Sequence, residues 1–182
     1  MSTAHQTSGP FWHLIDFPEW ADLLRADGPN AGAPQTYAGG ERITLQGTVT
    51  DGDGALVTDA MIEIWHADPD GRYDGAFQGF GRCATDAEGR FRFTTLKPGP
   101  VPGRGNTLQA PHVQIAIFAR GLLRHLTTRL YFAEEPLNES DPLLSLVPPE
   151  RRCTLIATPT VPGTWQLDIR LQGGAETVFL EL

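Results

Sequence analysis

Residues 42–51, RITLQGTVTD, alternate in character: Ile43, Leu45 and Val49 fall on one side of an extended chain, and Thr44, Gln46, Thr48 and Thr50 on the other. A period of two is that of a β-strand with one buried face. The DGDG that follows, 51–54, reads as a turn, because Gly and Asp accept the backbone angles that turns require. Further strands are predicted at AMIEIWHA (60–67), GRFRFTTL (89–96), PHVQIAIFA (111–119), TTRLYFA (127–133), CTLIA (153–157), TWQLDIRL (164–171) and ETVFLEL (176–182). Between them lie clusters of Gly, Pro, Asp and Asn. With 20 glycines, 15 prolines and no long 3.6-residue periodicity, the pattern predicts an all-β fold, an antiparallel β-sandwich of about eight strands with few short helices.

Two segments carry helical spacing: FPEWADLLR (17–25) and DPLLSLV (141–147), the second with Asp141 placed to cap it. Before Glu41 the chain is irregular and rich in Gly, Pro and Ala. This divides it into an interface-forming amino-terminal arm, 1–40, that packs on the sandwich or on a partner subunit, and a sandwich domain, 41–182.

A chain of 182 residues that is 40% hydrophobic and 20% charged can bury a real core. Its 22 acidic and 14 basic residues give a net charge of -8, and no basic stripe is present, which argues against nucleic acid as a partner. Cys83 and Cys153 are far apart with no CxxC, so neither a disulfide framework nor a zinc site is indicated. The amino terminus lacks a basic segment followed by an apolar run, and no apolar stretch approaches membrane-spanning length; a cytoplasmic location is expected.

No GxGxxG, GxxxxGK[ST], GxSxG or HExxH motif occurs, which removes most support for nucleotide-binding and hydrolase functions. Asp68 and Asp70 precede Gly71 as in the opening of a calcium loop, but the distal bidentate Glu is missing. The NES at 138–140 is a surface loop in a chain without a secretory signal.

In PHVQIAIFA, His112 and Gln114 project from one face about 7 Å apart, a spacing at which two imidazoles would share a metal. Only one imidazole is present. Together with IEIWHADPDGRY (62–73) and TLKPGPVP (95–102), the segment APHVQIAIFARG (110–121) resembles the intradiol ring-cleaving dioxygenases. The resemblance extends over most of the chain, from HQTSGPFWH (5–13) to the terminal QLDIRLQGGAETVFLEL (166–182).

In the catalytic chains of that family two tyrosinates and two histidines hold ferric iron. Matching the motifs puts these positions at Tyr73, Val101, His112 and Gln114. Valine offers no donor and glutamine one neutral oxygen, whereas a buried ferric ion needs hard, anionic ligands. The resemblance therefore implies an iron-free, α-type chain whose β-type partner subunit binds the iron, with Tyr73 and His112 left in a vestigial pocket. Taken alone, Tyr73 is an interfacial aromatic and His112 a hydrogen-bonded core residue.

The resemblance also implies that this chain lends a wall to the active site shared with the β subunit. Thr7, Gly9 and Pro10 would bind substrate, and Arg120 would serve as a supporting catalytic residue for an anionic substrate, unless it forms only a surface ion pair. The reaction implied is cleavage of 3,4-dihydroxybenzoate by O2 to 3-carboxy-cis,cis-muconate. A self-sufficient enzyme acting on catechol or hydroxyquinol would carry all four ligands and a helical amino-terminal region. A non-enzymatic sandwich used for binding or scaffolding stays open, since fold does not fix function.

Overall fold

The computed structural model describes residues 18–181. The alternating segment forms strand β1, Arg42–Thr50, with Ile43, Leu45 and Val49 buried as the pattern required. The other strands are β2 Met61–His66, β3 Gly79–Ala84, β4 Arg90–Leu96, β5 Val101–Pro102, β6 Leu108–Gln109, β7 His112–Phe118, β8 Leu126–Phe132, β9 Ile156–Val161, β10 Thr164–Gln166 and β11 Ile169–Arg170. Nine of them form one sheet in the order β11-β1-β10-β9-β8-β7-β2-β3, with β4 also paired to β1, and β5 and β6 form a separate ribbon. The sheet folds over a shared core: Ile43 and Leu45 of β1 and Phe93 of β4 lie in one cluster with Ile62 and Ile64 of β2 and Ile115 and Ile117 of β7.

The fold is thus mostly β, but the sheet is mixed, and this corrects the expectation of a purely antiparallel sandwich. β1 runs parallel to β10 and to β11, and β8 runs parallel to β9. Alternation specifies which face of a strand is buried and is silent about the direction of its neighbour. β10 and β11 are one predicted strand interrupted at Asp168, whose carboxylate accepts from the Thr48 backbone N–H at 2.9 Å in place of a ladder carbonyl.

Four local expectations also change. Residues 18–25 form a single 3₁₀ turn, Pro18–Ala21, followed by a bridge from Asp22 to Thr94, so that the Leu23 N–H donates to Thr94 O instead of continuing a helix. CTLIA begins in the 3₁₀ helix Pro149–Leu155, opened by the Pro148–Pro149 pair, and becomes a strand only at Ile156. Residues 176–181 are not a strand; they make isolated backbone bonds, Thr177 to Arg170 and Leu180 to Thr127, without a ladder. The second helical segment is a 3₁₀ turn, Leu144–Leu146, with Asp141 capping it through the N–H groups of Leu143 and Leu144.

The described part of the arm packs on the sheet, with Leu23, Leu24 and Ala33 buried in the main core. The Asn30 side chain is buried and exchanges two hydrogen bonds with the Gln78 backbone, at 2.8 and 2.7 Å, which fastens the arm to the segment entering β3.

Candidate functional site

Along β7, Val113, Ile115 and Ile117 face the core, which sends His112 and Gln114 to the opposite face. Cross-strand pairing then determines what they meet. On β8, Tyr131 lies opposite His112 and Arg129 opposite Gln114; on β2, Trp65 lies opposite Gln114; on β3, Phe80 lies opposite Trp65. One row of side chains therefore runs Phe80, Trp65, Gln114, Arg129 across four strands.

The turn after β2 brings Tyr73 to this row. Asp68 is fully buried, and its Oδ1 accepts from the N–H groups of Asp70 and Arg72, both at 2.9 Å, while Oδ2 accepts from the Tyr37 hydroxyl at 2.7 Å. The carboxylate that resembled a calcium ligand is thus used up in shaping the turn. Among the described residues no cluster of three or more His, Cys, Asp or Glu suited to a metal ion occurs. The turn docks on the KPGP loop so closely that a Cβ on Gly71, at φ 77°, would stand 1.9 Å from Pro100 O, and one on Gly99 would stand 2.2 Å from Pro69 O. Two glycines therefore hold the Tyr73 loop against the loop that leads to Val101. The Tyr73 ring stacks on Trp65 with centroids 5.8 Å apart and stays 37% exposed.

All four matched positions come together in this way, and their chemistry does not fit ferric iron. Val101 is buried in the β5–β6 ribbon and pairs with Gln109. His112 is buried, with Nδ1 on Ala110 O at 2.8 Å, and burial with the nearby Arg129 charge pushes its pKa down to about 4. Burial likewise raises the Tyr73 phenol, opposed by Arg129. The set thus offers one phenol and one imidazole, with valine at 101 and a neutral amide at 114, short of the hard, anionic donors a ferric ion needs.

Sequence reasoning passed over Arg129. It is 92% buried, at 8% exposure, and its Nη1 donates to Gln109 Oε1 at 2.9 Å and to the Tyr131 hydroxyl at 3.4 Å, while Nε has no partner. Tyr131 in turn donates to Asp141 Oδ1 at 3.0 Å, and Asp141 Oδ2 accepts from the Ala110 N–H at 2.9 Å. In TTRLYFA the alternation of Arg129 with Leu130 resembles a solvent-facing residue on an amphipathic strand. The signal that could have exposed it is its register opposite Gln114.

Arg120 lies elsewhere. It follows β7 at the end opposite His112, roughly 25 Å along the strand direction at about 3.3 Å per residue. Its side chain is 77% exposed and ion-paired with Asp59. Thr7, Gly9 and Pro10 lie outside the described residues.

A family model described as dioxygenase matches residues 15–169. The chain belongs to the intradiol dioxygenase family. It is similar to the protocatechuate 3,4-dioxygenase alpha chain of Burkholderia cepacia, 39% identical over 197 residues that span 99% of this chain and 97% of that one. Similarity to the beta chain of the same enzyme from the same organism is 35% over 154 residues, 74% of this chain and 66% of that one. Among solved structures, the dioxygenase domain of a dioxygenase carbohydrate-binding protein fusion from Streptomyces sp. SirexAA-E superimposes with a TM-score of 0.62 at 29% identity, covering 85% of this chain and 88% of that domain. The family match covers most of the chain, and the match over nearly full length extends to an alpha chain.

Proposed function

We propose that this chain is the iron-free α-type subunit of a protocatechuate 3,4-dioxygenase. The observation that carries the reading is the donor set at the four matched positions: Val101 and Gln114 stand in place of two donors, and only Tyr73 and His112 are left beside them. The near full-length likeness to an alpha chain, against a partial one to a beta chain, supports the same assignment.

On this reading the ferric iron is held by the β-type partner. The complex cleaves 3,4-dihydroxybenzoate between its hydroxyl-bearing carbons, adding both atoms of O2 to give 3-carboxy-cis,cis-muconate. This chain contributes wall and orientation. Thr7 offers a hydroxyl donor, Gly9 permits close backbone approach and Pro10 gives a rigid apolar contact to an aromatic ring. Arg120 is exposed beyond the end of β7, away from the chain's own vestigial pocket, which supports a role at a contact with a neighbouring subunit. Its guanidinium then serves the substrate carboxylate or orders partner side chains, with Asp59 as its resting counter-ion. No helix among the described residues is long and apolar enough to cross a membrane.

The test is oxygen uptake on 3,4-dihydroxybenzoate by this chain alone, by the β-type chain alone and by the two co-expressed. The reading expects turnover by the co-purified pair and none by this chain. Turnover by this chain alone would overturn it.

A further inference from the structure

The vestigial pocket lacks two donors and holds a buried cation, Arg129. We infer that the Arg129 guanidinium stands where the family's metal would sit and is the barrier that keeps metal out once the missing donors are restored. The inference rests on the reading of Tyr73, Val101, His112 and Gln114 as a former ligand set.

Strand register carries it, because three of the matched positions are one step from Arg129 or from a group that holds it, and the fourth, Tyr73, lies next to the same row. Gln114 is its direct cross-strand partner. Val101 pairs with Gln109, whose Oε1 takes the Nη1 hydrogen bond. His112 pairs with Tyr131, whose hydroxyl takes the second. Tyr73 stacks on Trp65, the partner of Gln114 on the other side. The guanidinium is thus tied by register and hydrogen bonds to three of the four, and its charge reaches the fourth, Tyr73.

It is held as a cation there. Tyr131 donates its hydroxyl hydrogen bond to Asp141 Oδ1, which leaves the phenol's lone pairs to accept from Arg129. Asp141 is itself saturated by the N–H groups of Ala110, Leu143 and Leu144. Arg129 makes no ion pair among the described residues, and its charge acts on both His112 and Tyr73. Guanidinium stays protonated at any pH at which the protein folds, so this charge cannot be titrated away to admit a metal. Two like charges sharing one poorly solvated pocket repel strongly, and a triply charged ion multiplies the effect.

The test restores the donors and varies only the cation, in the assembled complex, where any iron beyond the partner's belongs to this chain. Val101→Tyr with Gln114→His should leave iron per α/β pair at the parent level. Adding Arg129→Gln should bring a second ferric ion, an increase in second-site iron of about 10-fold or more over the double variant, with a stronger tyrosinate-to-iron band. Adding Arg129→Lys instead, which keeps the charge, should leave the parent level. Arg129→Met is run beside Arg129→Gln so that a folding defect in one does not decide the matter, and melting curves confirm assembly. A second iron in the double variant overturns the inference, as does equal iron in the Lys and Gln versions. Assembled Gln and Met versions that take no second iron overturn it too. Iron on this chain in the unaltered complex would overturn the functional reading instead.

Discussion

Replacing Gly71 by alanine tests whether the docking of two loops builds the pocket. Gly71 has φ 77°, and the new Cβ would stand 1.9 Å from Pro100 O, a backbone atom that cannot rotate aside. Left-handed backbone costs an alanine about 1 kcal/mol. Relieving the overlap requires the Tyr73 turn and the KPGP loop to part. That parting breaks the bond from the Gly99 N–H to Asp68 O, 2.9 Å, at about 1 kcal/mol, while the Gly71 N–H bond to the same oxygen lies within the turn. A loss of about 2 kcal/mol follows, which for a chain of this length is a fall in Tm of roughly 4 to 8 °C. Gly71→Asn separates the causes: asparagine tolerates the left-handed region but meets the same carbonyl, so it should lose most of the same stability. Gly39→Ala is the control, because a Cβ there meets nothing within 4 Å and should shift stability by less than about 0.5 kcal/mol. The assay is calorimetric melting of the complex with each variant. A Gly71→Ala protein that melts with the parent would refute the reasoning, since it would mean the loops are not in contact.

Arg120→Ala should leave iron content and assembly intact while lowering kcat/KM on 3,4-dihydroxybenzoate by about 10- to 100-fold, and Arg120→Lys should recover only part of this; parental kinetics would reduce Arg120 to its surface pair with Asp59. Its effect on stability should be slight, because the pair is largely exposed. His66 and His112 are both depressed to about 4 by burial, below an unfolded value near 6.5. A depressed histidine is neutral in the folded state, so its contribution is full above about pH 6.5 and is lost as pH falls toward about 4, by up to about 3 kcal/mol per histidine. Urea unfolding across that range should show the loss, and His66→Gln should remove about half of it, leaving the share of His112; a pH-independent midpoint between 7 and 4.5 would contradict the burial of these rings. Asp141→Asn turns an NH2 toward donors that the carboxylate satisfied, Ala110 N–H among them, and should cost about 2 to 3 kcal/mol in the same assay.

Where alternation was strong the sequence showed the strands plainly: β1, β2, β4, β7 and β8 follow from apolar residues spaced by two. β3 was missed because its buried positions include Gly79 and Gly81, which carry no hydrophobic signal. They are glycine because a Cβ would meet His66 O at 1.9 Å and Leu23 Cδ1 at 2.7 Å. The parallel neighbours of β1 were not legible, since nothing in a strand's own pattern names its partner's direction. The four positions of the pocket could be placed only through the family resemblance, because they lie on three separate segments of chain. Arg129 was missed for a different reason. Both faces of β8 are buried, so the residue opposite the core face is covered too, by the β5–β6 ribbon and the 141–155 segment, and an amphipathic pattern ceases to mean exposure.

The central claim is that this chain serves an iron enzyme without holding iron. Iron analysis of this chain and of its β-type partner, separated from the active, co-expressed complex, tests it most directly. The account predicts ferric iron and the tyrosinate-to-iron visible band on the β-type chain, with this chain colourless and free of stoichiometric iron. A coloured, iron-loaded preparation of this chain would contradict it.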